Sequence, residues 1–288
     1  MFQQSLIPCG PLALNVARGP AAGPPLVLLH GVTRSWRDFA PLFGALLPRW
    51  QLYAIDLRGH GQSDRAAGRY KVVDYVDDVV ALVRSLPGSP AVIYGHSLGA
   101  MVALVVADKL PDRVRGIVLE EPPFETMGAR IHETPLHGYF SDLERLSVAG
   151  RSVAEIALDL ADLRMTTPGS GPSVRLGDIR DAASLRFAAS CLRVLHWDVF
   201  TPIIAGRWLE GYDRASLFER VTRPTLLLQA DPQAGGMLSS ADAEQAAATM
   251  PDCTWIQVPT AGHLIHWTHT ETLTRLVLAF LEAMNAGG

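Results

Sequence analysis

The feature that most constrains the fold is a glycine-rich turn at the end of the first third of the chain. Gly95-His96-Ser97-Leu98-Gly99 has the form G-x-S-x-G and lies between an apolar run at 91–94 and a run with helical periodicity at 98–110. A strand followed by this turn and then by a helix holds the serine on a sharp bend, with its hydroxyl exposed at the carboxyl edge of a sheet. The sequence therefore predicts a reactive serine, Ser97, on a strand–turn–helix unit.

Short apolar runs and longer helical runs alternate around this unit. Such alternation is typical of a mostly parallel sheet with helices on both faces, so the expected fold class is α/β. The predicted strands are 26–29, 51–55, 91–94, 116–119, 225–229 and 254–258, and the predicted helices of the core are 73–86, 98–110 and 270–284.

A stretch of about a hundred residues, 124–221, interrupts the alternation. It contains two helical runs, 155–163 and 182–195, with a turn-rich stretch at 166–177 between them. We expect one core domain made of residues 1–123 and 222–288. The segment 124–221 is expected to form a mostly helical cap over Ser97.

Composition and charge argue against several classes of partner. The 25 Lys and Arg residues against 29 Asp and Glu give a net charge of −4, and no block of like charge occurs, so neither nucleic acid nor a membrane is expected as a partner. The N-terminus lacks the pattern of a secretory signal, and Cys9, Cys191 and Cys253 are too few and too widely spaced for a disulfide framework. These features predict a cytoplasmic protein that binds a small molecule.

A serine hydroxyl is a weak nucleophile at neutral pH, so it needs a base, and the base needs an orienting carboxylate. His263 is the predicted base, because it lies between the last predicted strand and the last predicted helix.

The three histidines His263, His266 and His269 are spaced three residues apart, which raises the question of a metal site. That spacing drifts around a helix, and no carboxylate or cysteine completes the set, so no metal site is expected.

Four segments together resemble the α/β-hydrolase fold, in order and across essentially the whole chain. They are the His30-Gly31 turn, the segment 56–63 (DLRGHGQS), the turn at Ser97 and the late Gly262-His263 pair. The layout is similar to serine hydrolases such as the zearalenone-type lactonases, and also to the haloalkane dehalogenases, whose nucleophile is an aspartate. The resemblance implies a hydrolase without a cofactor. It says less about the substrate, because this fold supports many chemistries.

The same resemblance bears on the carboxylate that completes the triad. Most relatives carry it after the strand that corresponds to 225–229, but Gln233 occupies the usual place and Asp231 lies two residues early. A minority carries it after the strand that corresponds to 116–119, about where Glu121 lies. Glu121 is the preferred acid and Asp231 the alternative. Glu120 is expected to point to the other face of its strand.

Further site residues follow from the family pattern and from the cap. By resemblance, the backbone amides of Val32 and Leu98 would hold the oxyanion, and Gly31 leaves room for the turn. Trp197 and Trp208 fall in the predicted cap, so they are candidates for lining the substrate pocket.

Several other polar residues are interpreted as structural. His30 is expected to support its loop, and Asp56 to organise the loop that follows its strand. Arg58 is expected to pair locally. Asp77 and Asp78 lie on a predicted helix and are expected to face solvent.

The expected activity is hydrolysis of an apolar carboxylic ester through an acyl-enzyme intermediate, with Ser97, His263 and Glu121 as the triad. A lactone is a candidate substrate, because the position of the acid resembles that of the zearalenone-type lactonases. Two alternatives stay open: hydrolysis of a carbon–carbon bond in a β-diketone on the same triad, and a ligand-binding homologue without activity. The sequence leaves the oligomeric state open.

Overall fold

The computed structural model describes residues 2–88, 90–147, 150–166 and 173–286, and its centre is an eight-stranded sheet. All strands, those of a separate two-stranded sheet included, are in chain order β1 (Gln3–Cys9), β2 (Leu12–Arg18), β3 (Pro25–Leu29), β4 (Gln51–Ile55), β5 (Ala91–His96), β6 (Val114–Glu120), β7 (Arg164–Thr166), β8 (Ser173–Arg175), β9 (Thr225–Gln229) and β10 (Cys253–Gln257). In the large sheet the strand order is β1-β2-β4-β3-β5-β6-β9-β10. The pair β7 and β8 forms the small sheet.

The six strands from β3 to β10 in the large sheet run parallel, whereas β1 and β2 pair antiparallel at one edge. Strands β3, β4, β5 and β9 are buried at every residue. Burial on both faces explains why they appear in the sequence as continuous apolar runs, and the predicted parallel sheet is confirmed. The β1–β2 hairpin was not predicted, because β1 is largely exposed and contains no apolar run.

Helices cover both faces of the sheet. The α-helices are α1 (Ala40–Leu46), α2 (Val76–Ser85), α3 (Leu98–Lys109), α4 (Pro135–Leu146), α5 (Val153–Asp162), α6 (Leu176–Ile179), α7 (Ala182–Val194), α8 (Thr201–Ile204), α9 (Arg214–Arg220), α10 (Ser240–Thr249), α11 (Ile265–Thr268) and α12 (Thr270–Ala286). Short 3₁₀ helices occupy Trp36–Phe39, Val72–Tyr75, Ala129–Glu133, Trp197–Val199 and Pro232–Ala234. Helices α1, α11 and α12 pack on one face, and α2, α3, α9 and α10 pack on the other.

The segment 124–221 supplies α4 to α9 and the small sheet, and no strand of the large one. The limits of the cap, 124 and 221, stay a prediction. Part of the predicted turn-rich stretch, 167–172, lies outside the described residues. Its flanks are more regular than predicted, because Arg164–Thr166 pairs with Ser173–Arg175 and α6 begins at Leu176.

Helix α2 contradicts one expectation about charge. Asp77 is exposed, but Asp78 is buried and accepts two hydrogen bonds from Arg58, at 2.6 Å from Nε and 2.7 Å from Nη2. A two-pronged bond between guanidinium and carboxylate compensates both groups for the loss of water. The prediction that Asp78 faces solvent was therefore wrong, since its partner lies on a loop 20 residues earlier in the chain.

The three cysteines are free thiols, and Cys9 and Cys191 are buried. Within the described part of the chain, no helix combines the length and the apolar character needed to cross a bilayer.

Candidate active site

Ser97 lies on a strained bend between β5 and α3. Its φ of 53° and ψ of −114° fall in a region that residues other than glycine rarely adopt. The flanking glycines make the bend possible: a Cβ on Gly95 would lie 2.2 Å from the carbonyl oxygen of Gly99, and a Cβ on Gly99 would lie 1.9 Å from that of Leu29. Only glycine at positions 95 and 99 therefore allows the strand and the helix to lie this close together.

The structure brings His263 and Glu121 into contact. His263 lies in the loop between β10 and α11, and its Nδ1 is 3.1 Å from Oε2 of Glu121. Glu121 is the first residue after β6, has a φ of 53° and is fully buried. The alternative acid, Asp231, instead accepts a 2.9 Å hydrogen bond from the amide of Gln233 and caps the 3₁₀ helix at Pro232–Ala234.

Backbone amides hold the Glu121 carboxylate in place. The amide of Ala230 donates to Oε1 at 2.6 Å, and the amide of Met237 donates to Oε2 at 2.6 Å. These donors satisfy a carboxylate that has no contact with water. They also fix the orientation of the oxygen that faces His263.

Ser97 and His263 line one cavity of about 440 Å³. Eight residues of the segment 124–221 also line this cavity: Met127, Tyr139, Phe140, Met165, Ile179, Arg180, Asp181 and Ser184. A small molecule bound there would lie within reach of both Ser97 and this segment.

The predicted oxyanion residues lie at the same place. Gly31 and Val32 line the cavity, and among the described residues the Val32 amide has no hydrogen-bond partner. Leu98 is the first residue of α3, where an amide has no partner within the helix and the helix dipole is positive. The role of these two amides in holding the oxyanion stays a prediction.

The two tryptophans predicted to line the pocket do not line it. Trp208 is fully buried in the apolar core, and its carbonyl oxygen accepts a hydrogen bond from the Val72 amide. Trp197 is 57% exposed on the outer surface of the protein. That expectation was wrong, because position in the cap segment does not specify which side of the cap a residue faces.

With this geometry established, comparison with known proteins is informative. Residues 24–270 match the family described as alpha/beta hydrolase fold. The chain belongs to this family. A 2-(acetamidomethylene)succinate hydrolase of Mesorhizobium japonicum is 28% identical over 98% of this chain and 96% of its own length. A haloalkane dehalogenase of the same species is 25% identical over 97% of this chain and 91% of its own.

Among solved structures, a thermophilic esterase of Thermogutta terrifontis superimposes on this hydrolase with a TM-score of 0.72. The match covers 99% of each chain at 20% identity. At that identity the likeness shows a shared fold.

Behind the nucleophile of this α/β-hydrolase lies a buried charged cluster, formed by Asp38, Glu120 and His266. Nδ1 of His266 donates to Oε1 of Glu120 at 2.8 Å, and Nε2 of His266 is 3.3 Å from Oδ2 of Asp38. Glu120 thus points away from His263, as strand alternation predicts. His96 separates the cluster from the cavity, and its Nε2–H donates to the carbonyl oxygen of His263 at 3.0 Å.

The cluster carries alternating charges. Burial lowers the pKa of His266, but the carboxylates of Glu120 and Asp38 outweigh burial and raise it to about 9. Burial raises the pKa of Glu120, but the charge of His266 outweighs it and lowers the pKa to about 2.

The facing atoms of Asp38, His96 and His266 lie within 4.8 Å of one another, as metal ligands do. A protonated His266 has no lone pair for a metal, so we interpret the cluster as an ion-pair network.

His30 and Asp56 support neighbouring loops, as expected. The ring of His30 contacts the carbonyl oxygen of Gly31 through Nδ1 and accepts from the Leu57 amide through Nε2, and burial lowers its pKa to about 4. Asp56 accepts from the Trp36 amide at 2.8 Å. Neither side chain lines the cavity.

Among the cavity residues that the sequence analysis did not predict are two arginines. Arg34 lines the cavity from the loop after β3, and Arg180 lines it from the end of α6. Arg34 could have been found, since it follows the predicted oxyanion residue Val32 by two positions. No sequence pattern marks Arg180, because only the tertiary structure brings it to the cavity that Ser97 lines.

Proposed function

We propose that this hydrolase cleaves a carboxylic ester, cyclic esters included, through an acyl-enzyme intermediate. The observation that carries the proposal is the contact of His263 Nδ1 with Glu121, at 3.1 Å, in a protein where Ser97 and His263 line one cavity. The fold shared with an esterase supports it. The relative named as a 2-(acetamidomethylene)succinate hydrolase supports a hydrolytic reaction.

In the proposed mechanism Ser97 Oγ attacks the carbonyl carbon while Nε2 of His263 takes the serine proton. The amides of Val32 and Leu98 stabilise the resulting oxyanion. His263 then donates its proton to the leaving alcohol, and the acyl group stays on Ser97. Water, deprotonated by His263, releases the acid and restores the serine. Glu121 keeps the imidazole in the tautomer with a proton on Nδ1 and stabilises its transient positive charge.

The first test is covalent labelling of Ser97 with a fluorophosphonate, combined with a screen of aryl esters, aliphatic esters and lactones of several ring sizes. We expect the wild-type protein to label and to hydrolyse esters, and Ser97→Ala to do neither. A folded wild-type protein that neither labels nor hydrolyses an ester would overturn the proposal. Turnover of a β-diketone without ester turnover would instead favour carbon–carbon hydrolysis.

The identity of the acid is tested with a matched pair of amides. Glu121→Gln keeps the size of the side chain but removes the charge that faces His263, so we expect turnover to fall by about 10³- to 10⁴-fold. Asp231→Asn should keep its capping bond and stay within about threefold of wild type. Turnover numbers on one accepted ester provide the comparison. If Asp231→Asn lost most of its turnover while Glu121→Gln kept turnover close to wild type, Asp231 would be the triad acid.

A further inference from the structure

Ester hydrolysis by Ser97, His263 and Glu121 leaves two arginines of the cavity without a role. Arg34 reaches the cavity from the core, and Arg180 reaches it from the cap. Both also line a smaller cavity of about 20 Å³ beside it. The two arginines therefore line the same two neighbouring cavities.

Arg34 is held in a fixed orientation, and two of its guanidinium nitrogens form no hydrogen bond with a described residue. Its side chain is only 7% exposed, and its Nε donates to Oδ1 of Asp38 at 2.8 Å. The guanidinium carbon lies 5.0 Å from the ring centre of Phe187 and 6.0 Å from that of Trp267. Among the described residues, its Nη1 and Nη2 have no hydrogen-bond partner. A rigid pair of donors is thus left at the edge of the cavity.

Arg180 is partly buried and has no ion pair with any described residue. The one acid that lines the cavity beside it, Asp181, is exposed and accepts a 2.7 Å hydrogen bond from the Ser184 amide as the N-cap of α7. The charge of Asp38 is shared between Arg34 and the protonated His266. Of the two arginines that line the cavity, Arg180 is therefore the one without an ion pair to a described residue, and a bound anion would supply its counter-charge.

We propose that Arg34 and Arg180 form a carboxylate-binding subsite, so that the substrate carries a free carboxylate besides the carbonyl group attacked by Ser97. This inference rests on the proposed function, and it replaces the apolar substrate expected from the sequence with an anionic one. Guanidinium groups match carboxylates in shape and bind them through paired, charge-assisted hydrogen bonds. A cavity of about 440 Å³ accommodates a small acid of this kind.

The test compares esters that differ in one terminal group. The 4-nitrophenyl hydrogen esters of glutaric and adipic acid carry a carboxylate where 4-nitrophenyl pentanoate and hexanoate carry a methyl group. We expect wild-type kcat/KM to favour the acid esters by at least about tenfold, with the preference falling as salt rises. Arg180→Gln should lower this preference by about 10- to 100-fold, chiefly through KM, because it removes a hydrogen bond between charged groups.

Arg186→Gln is the matched control. Arg186 lies exposed on α7 and does not line the cavity, so its removal changes the net charge equally but should leave the preference unchanged. Arg34→Lys keeps the charge but loses the planar pair of donors, so it should lower the preference. An equal loss of preference in Arg180→Gln and Arg186→Gln would overturn the subsite, because it would show a general charge effect.

A binding measurement separates this inference from the proposed function. Calorimetric titration of Ser97→Ala with glutarate should show binding that Arg180→Gln, added to the same variant, weakens at least tenfold. If Ser97 hydrolyses neutral esters but glutarate does not bind and acid esters are not preferred, the subsite is wrong and the proposed function stands. If glutarate binds through Arg180 but Ser97 neither labels nor hydrolyses esters, the subsite stands and the proposed function is wrong.

Discussion

Buried carboxylates in this hydrolase are stabilised by donors that distant parts of the chain supply. Glu121 accepts from the amides of Ala230 and Met237, more than a hundred residues later. Asp78 accepts from Arg58, which lies on the loop after β4. Each interaction connects two elements that the sequence separates, so a single side chain contributes to the placement of a whole loop or helix.

Asp78→Asn tests this at the level of one residue. It leaves the Arg58 charge buried without a counter-charge, and we expect the free energy of unfolding to fall by about 3–5 kcal/mol. The neighbouring Asp77→Asn removes the same charge from an exposed position and should change stability by no more than about 0.5 kcal/mol. Urea denaturation of the two variants provides the comparison. Equal losses of stability in the two variants would show that the buried Arg58–Asp78 pair contributes no more than an exposed charge.

At the level of elements, the junction of β5 and α3 determines where the nucleophile lies. Helix α3 begins directly after Ser97, and nearly all of its residues are buried against the sheet. Gly99 packs against the carbonyl group of Leu29 in the neighbouring strand β3. Backbone on both sides of this contact leaves no flexible atom that could move aside.

Substitution of glycine by alanine in two helices tests that statement. Gly99→Ala places a methyl group 1.9 Å from the Leu29 carbonyl oxygen, and we expect a loss of about 3 kcal/mol or more. Gly44→Ala lies in α1, where the new methyl group would meet nothing within 4 Å, and should stabilise by about 0.5–1 kcal/mol. Thermal denaturation measures both. A Gly99→Ala protein as stable as wild type would refute the close contact.

At the level of the whole molecule, the cluster of Asp38, Glu120 and His266 joins elements from the two ends of the chain. Asp38 belongs to the 3₁₀ helix before α1, Glu120 ends β6, and His266 lies on α11. Their charges are fully removed from water. Unfolding therefore exposes His266 to water, and its pKa returns to the ordinary value for histidine, near 6.5.

This linkage predicts how stability depends on pH. An unfolded histidine loses its proton near pH 6.5, whereas His266 in the folded protein keeps its proton up to about pH 9. Between these values the folded state binds more protons, so the free energy of unfolding decreases as pH rises. The stabilisation that protonated His266 contributes is complete below pH 6.5 and is lost above pH 9. Urea denaturation from pH 6 to 9 should show the decrease.

Two variants isolate the contribution of His266. His266→Gln should reduce the pH dependence of stability, whatever its effect on stability itself. His132→Gln, which removes an exposed histidine, should leave the dependence as in wild type. A wild-type slope retained in His266→Gln would show that another group is responsible.

Local patterns in the sequence predicted the features that depend on neighbours in the chain. The apolar runs predicted the inner parallel strands β3, β4, β5 and β9, because both faces of those strands are buried and most of their residues are apolar. The turn at Ser97 was recognisable, because its glycines are needed by a contact between adjacent elements. The N-terminal hairpin was not, since an exposed edge strand need not be apolar.

By itself, the sequence determined the fold class, the strand–turn–helix unit that carries Ser97 and the short set of residues from which a triad could be chosen. Only the tertiary structure placed Glu121 beside His263, buried Asp78 against Arg58, turned Trp197 outward and brought Arg180 to the cavity that Ser97 lines. The physical reason is the separation along the chain between the residues that interact. Strand and turn preferences act between residues close in the chain, whereas the charge and shape of the cavity depend on groups that meet only when the core and the cap have folded together.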